Sequence, residues 1–130
     1  HVNYPTDVKR DVPSIELAAH FKVALNAGLH GLCFSPYREG QDVRDQLSGT
    51  QIDERMDIIA PYTKWIRSFS TTKGNELIPL SARSKGIKTM VGAWVSDDKD
   101  QNEQEIESLI EQAKKGMVDI AVVGNEVLLR

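Results

Sequence analysis

The chain has 130 residues, 40% of them hydrophobic and 27% charged, which is ordinary for one globular domain with a substantial core. Its formal net charge of −3 offers no positive field for nucleic acid or an anionic membrane. No apolar run reaches the length of about 20 residues that spans a bilayer. The single cysteine, Cys33, excludes an internal disulfide framework and is expected to be a small buried side chain.

The first part of the chain predicts a helix followed by a short strand. Pro13 suits the first helical turn and Gly28 suits the stop, with Leu17 and Phe21 on an apolar face between them. The apolar run Gly31–Tyr37 is closed by a proline and a tyrosine, and it predicts the first strand.

A second helix and a second strand are predicted after a polar loop. Thr50 is expected to cap the helix, with Asp53 placed to complete the capping arrangement. Pro61 should end it, because the proline ring removes a donor and clashes with the preceding turn. Polar and apolar residues alternate in Lys64–Ser70, which is typical of a strand.

The next pair of elements is a short helix and the most apolar strand so far. Asn75–Lys85 predicts the helix, which starts late or is kinked because of Pro79, and Gly86 is placed to end it in a left-handed conformation. Ile87–Val95 predicts the third strand.

The last helix and strand complete the pattern. Ser96 is expected to cap the helix, and Gly116 is expected to end it. A short apolar run then predicts a fourth strand, which ends at Gly124. The inward stripe of the helix is predicted to consist of Ile106, Leu109, Ile110 and Ala113.

This alternation predicts an α/β fold with right-handed crossovers and a parallel sheet. Four βα repeats amount to half of a (β/α)₈ TIM barrel, here with an extra N-terminal helix. We expect a single domain over residues 1–130, in which residues 1–29 form an extension and residues 30–130 form the half-barrel. An open, flavodoxin-like sheet that folds alone is the alternative.

The tip of the fourth strand is the strongest candidate site. Asn125 and Glu126 follow the apolar run directly, at the end of the strand where α/β barrels keep their catalytic groups. A carboxylate beside a buried strand needs hydrogen-bond partners, and it can serve as a general acid or simply bond the next helix start. On spacing alone the two interpretations stay equally open.

Three further side chains are expected at the same edge of the sheet. Tyr37 ends the first strand, Arg67 lies on the second, and Trp94 lies close to the end of the third. Aromatic rings stack on sugar rings and a guanidinium binds hydroxyl groups, so the set suits a carbohydrate. Core packing explains Trp94 equally well and is the preferred explanation for Trp65.

Other chemistries find no support in the sequence. There is no glycine-rich nucleotide motif and no G-x-S-x-G elbow. His1, His20 and His30 are not at metal-ligand spacing, and one cysteine does not make a zinc cluster. We therefore expect no metal and no cofactor.

The strand motifs CFSPYREGQ, WIRSFS, KTMVGAWVSDD and DIAVVGNEVLLR together resemble glycoside hydrolase family 17. The similarity is greatest to its bacterial branch of β-1,3-glucan hydrolases and glucanosyltransferases, and it extends from Gly31 to Arg130. The sequence departs from the family at Thr71–Lys73, where many relatives carry an acidic residue, so a sugar contact there would be weakened or changed.

The resemblance implies a (β/α)₈ barrel that works with retention through two glutamates. It implies that Glu126 is the general acid/base, Asn125 a sugar-binding amide, Tyr37 and Trp94 glucan contacts, and Arg67 an organiser of the site. The family's nucleophilic glutamate lies on a later strand, and a retaining enzyme needs both carboxyls about 5–5.5 Å apart. This chain is therefore expected to be the N-terminal half of the barrel and inactive alone.

Two functions from different classes remain open. The first is an enzyme-derived unit acting on a β-glucan oligosaccharide or polysaccharide, and the second is a non-catalytic carbohydrate-binding or self-associating half-barrel. Either leaves two unpaired sheet edges, which are a liability in water. The expected protein partner is accordingly a second copy of the chain or a complementary C-terminal half-barrel.

Overall fold

A computed structural model describes residues 13–127, in which four parallel strands form one sheet in the order β1-β2-β3-β4. The predicted alternation of strands and helices is confirmed. The strands are β1 Leu32–Cys33, β2 Trp65–Arg67, β3 Lys88–Ala93 and β4 Ile120–Val123. The helices are α1 Ser14–Ala27, α2 Gly49–Ile59, α3 Ile78–Ser84 and α4 Lys99–Lys114.

Parallel register aligns one row of side chains across the whole sheet. Cys33 pairs with Arg67, Arg67 with Met90, and Met90 with Ile120. Side chains alternate between the two faces of a strand, so this row shares the face that lies away from the helices. We call these four residues the inner row.

The opposite face of the sheet carries the core. Ile66 on β2 is 1% exposed and belongs to a buried cluster with residues of α2 and α3. Val91 and Ala93 on β3 form a second cluster with Leu109 of α4. The first cluster consists of Phe34, Leu47, Ile52, Met56, Ile66, Ile78, Ala82 and Ile87.

Two helix starts differ from the predicted ones. Ser48, not Thr50, caps α2, because its hydroxyl accepts a hydrogen bond from the Gln51 N–H at 3.2 Å. Asp98, not Ser96, caps α4 in the same way. The main chain of Ser96 is instead held by the side chain of Asn102, so the helix starts farther along.

The end of the first helical unit and the start of the next follow their prolines. Pro61 ends α2, and a 3₁₀ turn follows over Ala60–Tyr62. Pro79 lies in the first turn of α3, where its missing N–H breaks no helical hydrogen bond. Asn75–Leu77 form a 3₁₀ turn before it, so the helix does start late.

The inward face of α4 differs from the predicted stripe. Leu109 is buried as expected, but Ile106 and Ile110 are 37% and 47% exposed, and Ala113 is also exposed. The side chains buried beside Leu109 are Glu105 and Gln112. The helix is rotated toward these polar residues because the loop after β2 supplies hydrogen-bond donors to Glu105.

The expected burial of Cys33 and of the fourth strand is also wrong. Cys33 is exposed because β1 is an edge strand and the inner row has no covering layer among the described residues. On β4, the other edge strand, Ile120 of the inner row is 41% exposed, and Val123, which shares the face of Ala93, is 64% exposed. No side chain of α1 is buried either, and Leu17 and Phe21 lie at its surface.

Part of the predicted extension, residues 1–12, lies outside the described residues, as do His1 and Arg130. Within the described part of the chain, no helix is long and apolar enough to cross a membrane.

Gly74 gives a test of how tightly the loop after β1 packs on the turn before α3. Gly74 has a φ of 92°, and a Cβ there would lie 2.3 Å from the Leu47 carbonyl oxygen. Gly86 has a φ of 73°, but a Cβ there would meet nothing within 4 Å. We expect Gly74→Ala to lower the free energy of unfolding by at least about 3 kcal/mol, against about 1–2 kcal/mol for Gly86→Ala. Urea denaturation measures both, and equal losses would contradict the packing described.

Candidate functional site

A cleft of about 580 Å³ opens at the carboxyl ends of β1, β2 and β3. Parallel strands bring these ends to one edge of the sheet, which is where ligands bind in α/β proteins. Its lining is mixed, with aromatic rings beside hydroxyl and amide groups. The lining includes Tyr37, Phe69, Ser70, Thr72, Asn75 and Trp94.

Tyr37 is held in the cleft wall by packing and by a hydrogen bond. Its ring packs against the first core cluster, and its hydroxyl accepts a hydrogen bond from the Asn75 Nδ2 at 3.3 Å. Asn75 is 5% exposed and also donates to the Thr72 carbonyl at 2.9 Å. The phenol is therefore oriented by a buried amide, as a preformed binding wall requires.

The loop after β1 forms an outer wall of the cleft. The buried Gln51 of α2 anchors it by donating to the Pro36 carbonyl at 2.9 Å. Farther along, Arg44 lines the cleft and forms an ion pair with Asp42. The hydrogen bonds from Arg44 lower the pKa of Asp42 to about 2, so this exposed pair stays charged through the neutral range.

The tip of β4 carries the predicted acid and amide. The Nη2 of Arg67 donates to the Asn125 Oδ1 at 3.0 Å, so a residue of the inner row orients the amide. Gly124 and Glu126 have φ angles of 85° and 54°. A left-handed conformation costs a non-glycine residue about 1–2 kcal/mol, and such conformations concentrate at functional sites. Glu126 itself is exposed.

The predicted site residues thus lie in two groups. Tyr37 and Trp94 line the cleft, while Arg67, Asn125 and Glu126 gather at the end of β2 and β4. Phe69 joins the groups, because its ring lines the cleft and lies 4.9 Å below the Arg67 guanidinium.

Sequence reasoning missed Phe69, although a signal was present. Arg67 and Phe69 are two residues apart in the alternating run after Lys64, so they share a face. Trp65 also shares that face, but it lies at the start of β2, where Lys88 approaches its ring to 5.3 Å. It therefore belongs to a different surface from the cleft.

Sequence reasoning also missed Glu105, which is 0% exposed beneath the cleft. Its carboxylate accepts hydrogen bonds from Ser70 and Thr72, which line the cleft, and from the main chain of Thr71 and Trp94. Three consecutive hydroxyl residues after a strand of alternating polar and apolar residues were the available signal for a buried acceptor. The hydroxyl groups of Ser70 and Thr72 thus have a structural use in this chain.

Two other acids, Glu39 and Glu76, lie within two positions of residues that line the cleft. Glu39 is exposed, and Glu76 accepts a hydrogen bond from the Gly74 N–H at 2.8 Å within its own turn. In the described part of the chain, no group of three histidine, cysteine, aspartate or glutamate side chains is placed to hold a metal ion. His20 and His30 are exposed.

An aromatic and polar cleft at the carboxyl ends of parallel strands is typical of a ligand-binding α/β domain. The model of the BtgE/BtgC glycoside hydrolase domain matches residues 31–130, and the chain belongs to that family. A comparison with curated proteins found no significant match.

Two solved structures from Rhizomucor miehei share the fold. One is a glycoside hydrolase family 17 β-1,3-glucanosyltransferase, and the other is its active-site mutant in complex with laminaritriose. Each superposes with a TM-score of 0.63 at 22% identity, over 81% of this chain and 39% of the other. The chain thus spans about two fifths of those proteins. The predicted resemblance and the predicted half of a (β/α)₈ barrel are confirmed.

Proposed function

We propose that this chain forms the glucan-binding and acid/base-bearing part of a retaining enzyme that hydrolyses or transfers β-1,3-glucan. The observation that carries the proposal is the aromatic cleft at the carboxyl edge of the parallel sheet, which is connected through Phe69 and Arg67 to Asn125, the neighbour of Glu126. Two further findings support it. The chain belongs to a glycoside hydrolase family, and a protein of the same fold was solved with laminaritriose.

In the proposed reaction, Glu126 protonates the glycosidic oxygen as the sugar leaves and later takes a proton from the attacking water or sugar hydroxyl. Asn125, which Arg67 orients at 3.0 Å, hydrogen-bonds a hydroxyl of the reacting sugar. Tyr37 and Trp94 hold neighbouring sugar rings in the cleft. The proposed binding residues thus follow β1 and β3, whereas the proposed acid follows β4.

The nucleophile of a retaining mechanism is not assigned to any residue of this chain. Such a carboxylate must lie about 5–5.5 Å from the acid/base, because it attacks the carbon whose bond the acid breaks. The Glu76 carboxylate accepts a hydrogen bond from the Gly74 N–H, and Glu39 lies in an exposed loop. We infer that these 130 residues do not turn over glucan without a second set of βα units.

The second set of βα units is proposed to pair with the open edges of the sheet. Among the described residues, β1 pairs only with β2 and β4 only with β3. Leu32, Trp65, Met90 and Ile120 also line a hollow of about 260 Å³ that includes part of the inner row. A complementary half-barrel or a second copy of the chain would cover this surface, and the chain's share of 39% of the solved barrels favours the complementary half.

A non-catalytic carbohydrate-binding module is the second candidate function. The observation that favours it is the location of the cleft, which is built entirely from residues 34–104, ahead of the acid at β4. Glucan binding without turnover under every assembly state would support this candidate.

Trp94 tests whether the cleft is the glucan site. We expect the chain to bind laminaritriose and Trp94→Ala to weaken binding about tenfold, because truncating an aromatic anchor costs more than about 1 kcal/mol. The matched control is Trp65→Ala, at the start of β2 and outside the cleft lining. Isothermal titration calorimetry measures all three proteins. Equal affinity of Trp94→Ala and wild type would place the ligand elsewhere, and absence of binding to wild type would reject the proposed function.

Glu126→Gln tests whether the isolated chain is catalytically complete. We expect neither the wild-type chain nor this variant to release sugar from laminari-oligosaccharides, because the acid/base lacks its nucleophile. Product analysis by chromatography after long incubation is the measurement. Turnover by the wild type that disappears in Glu126→Gln would show that the chain is catalytically complete.

The mass in solution tests the proposed edge pairing. We expect the chain at high concentration to form assemblies larger than a monomer, because exposed apolar groups and unpaired strands favour association. Light scattering coupled to size exclusion gives the mass. A chain that remains monomeric at all concentrations would reject pairing between two copies and leave the complementary half-barrel as the proposed partner.

A further inference from the structure

Glu105 is a buried acid for which the proposed reaction has no use. It lies in the second turn of α4 and is 0% exposed. Its Oε1 accepts hydrogen bonds from the Ser70 and Thr72 hydroxyls at 2.5 and 2.7 Å. Its Oε2 accepts from the main-chain N–H groups of Thr71 and Trp94 at 2.7 and 3.1 Å.

The surroundings of this carboxylate consist of donors rather than a cation. None of the ion pairs among the described residues includes Glu105. A buried carboxylate without a cation is costly unless charge-assisted hydrogen bonds satisfy it. The Thr71 hydroxyl lies 2.6 Å from the Glu105 main-chain carbonyl and 2.9 Å from Oε2, so its one proton is shared between these two acceptors. The carboxylate is thus satisfied by the β2 loop and the end of β3 together.

This geometry decides where two hydroxyl protons lie. A hydroxyl has one proton to donate, and a carboxylate only accepts. Ser70 and Thr72 therefore direct their protons to Glu105, away from the cleft that both residues line. Each hydroxyl can offer a ligand only acceptor lone pairs, and one of the two on Ser70 already accepts from the Thr72 N–H at 3.2 Å. The wall formed by these residues accepts hydrogen bonds and does not donate them.

We propose that Glu105 is a positioning residue that makes this wall of the cleft an acceptor for the hydroxyl groups of a bound glucan. It also fixes the main chain at Trp94, whose side chain lies in the same cleft. The proposal rests on the proposed function, since it names how that site recognises a ligand rich in hydroxyl donors.

Glu105→Gln separates hydrogen-bond direction from shape. The carboxamide keeps one acceptor oxygen. The main-chain N–H groups of Thr71 and Trp94 can only donate and are fixed by the backbone, so they hydrogen-bond to that oxygen. The amide NH₂ then faces Ser70 and Thr72, whose hydroxyls rotate to accept and turn their protons toward the cleft. The variant thus reverses the direction of hydrogen bonding at the wall with almost no change in volume.

The experiment measures laminaritriose affinity in Glu105→Gln and in two controls on the same helix. Glu111→Gln removes an exposed charge that faces Lys115, and Leu109→Ala weakens the buried face without touching the cleft wall. We expect about a tenfold loss of affinity in Glu105→Gln and less than about a twofold change in each control. Wild-type affinity in a folded Glu105→Gln protein would overturn the proposal.

Thr72→Val provides the second variant if Glu105→Gln does not fold. It removes one acceptor from the wall while keeping nearly the same side-chain shape, so we expect a weaker laminaritriose affinity. Unchanged affinity in Thr72→Val would overturn the proposal as surely as in Glu105→Gln.

Amide hydrogen exchange distinguishes failure of this inference from failure of the proposed function. We expect the Thr71 and Trp94 amides of the ligand-free wild type to be protected, and their protection to fall in Glu105→Gln more than in Leu109→Ala. Loss of wild-type glucan binding with this pattern intact would reject the proposed function and keep the positioning role. Rapid exchange of both amides in the wild type would overturn the role itself.

Discussion

Parallel strand pairing is the constraint on which the site depends. Because all four strands run in one direction, their carboxyl ends meet at one edge, and residues far apart in sequence come together there. Arg67 and Asn125 are 58 positions apart and share a hydrogen bond. Ser70 and Glu105 are 35 positions apart and do the same. Neither contact exists without the crossover helices that carry the chain back between strands.

The constraint also explains which features the sequence could predict. Strand and helix alternation is encoded in local periodicity. Strand ends identify the residues that gather at one edge, so the positions of Tyr37, Arg67 and Trp94 at that edge can be predicted from the sequence. Helix starts are less predictable, because Ser48 and Thr50 are both good caps and the folded loop decides between them. The burial of Glu105 cannot be predicted from periodicity, because an acid on a charged helix is expected to face solvent until its hydrogen-bond donors after another strand are known.

Exposure of β4 follows from its place in the sheet rather than from its composition. Ile120–Val123 is as apolar as a buried strand, yet within residues 13–127 it pairs only with β3. The apolar pattern therefore describes a strand suited to neighbours on both sides. Glu126, just beyond it, is exposed for the same reason. In the proposed enzyme, an element packed beside β4 would contribute to the surroundings of Glu126.

In the proposed function, binding and chemistry depend on different parts of the fold. The cleft wall is organised by the ends of β1, β2 and β3, by α2 and α4, and by the turn that carries Asn75, with buried amide and carboxylate groups orienting its polar atoms. The proposed acid lies beyond it, connected through the Arg67 guanidinium over Phe69. Because the binding wall is preformed while the surroundings of the acid are not, ligand recognition should survive in the isolated chain under conditions where catalysis does not. This separation is why affinity, rather than turnover, is the informative measurement on these 130 residues.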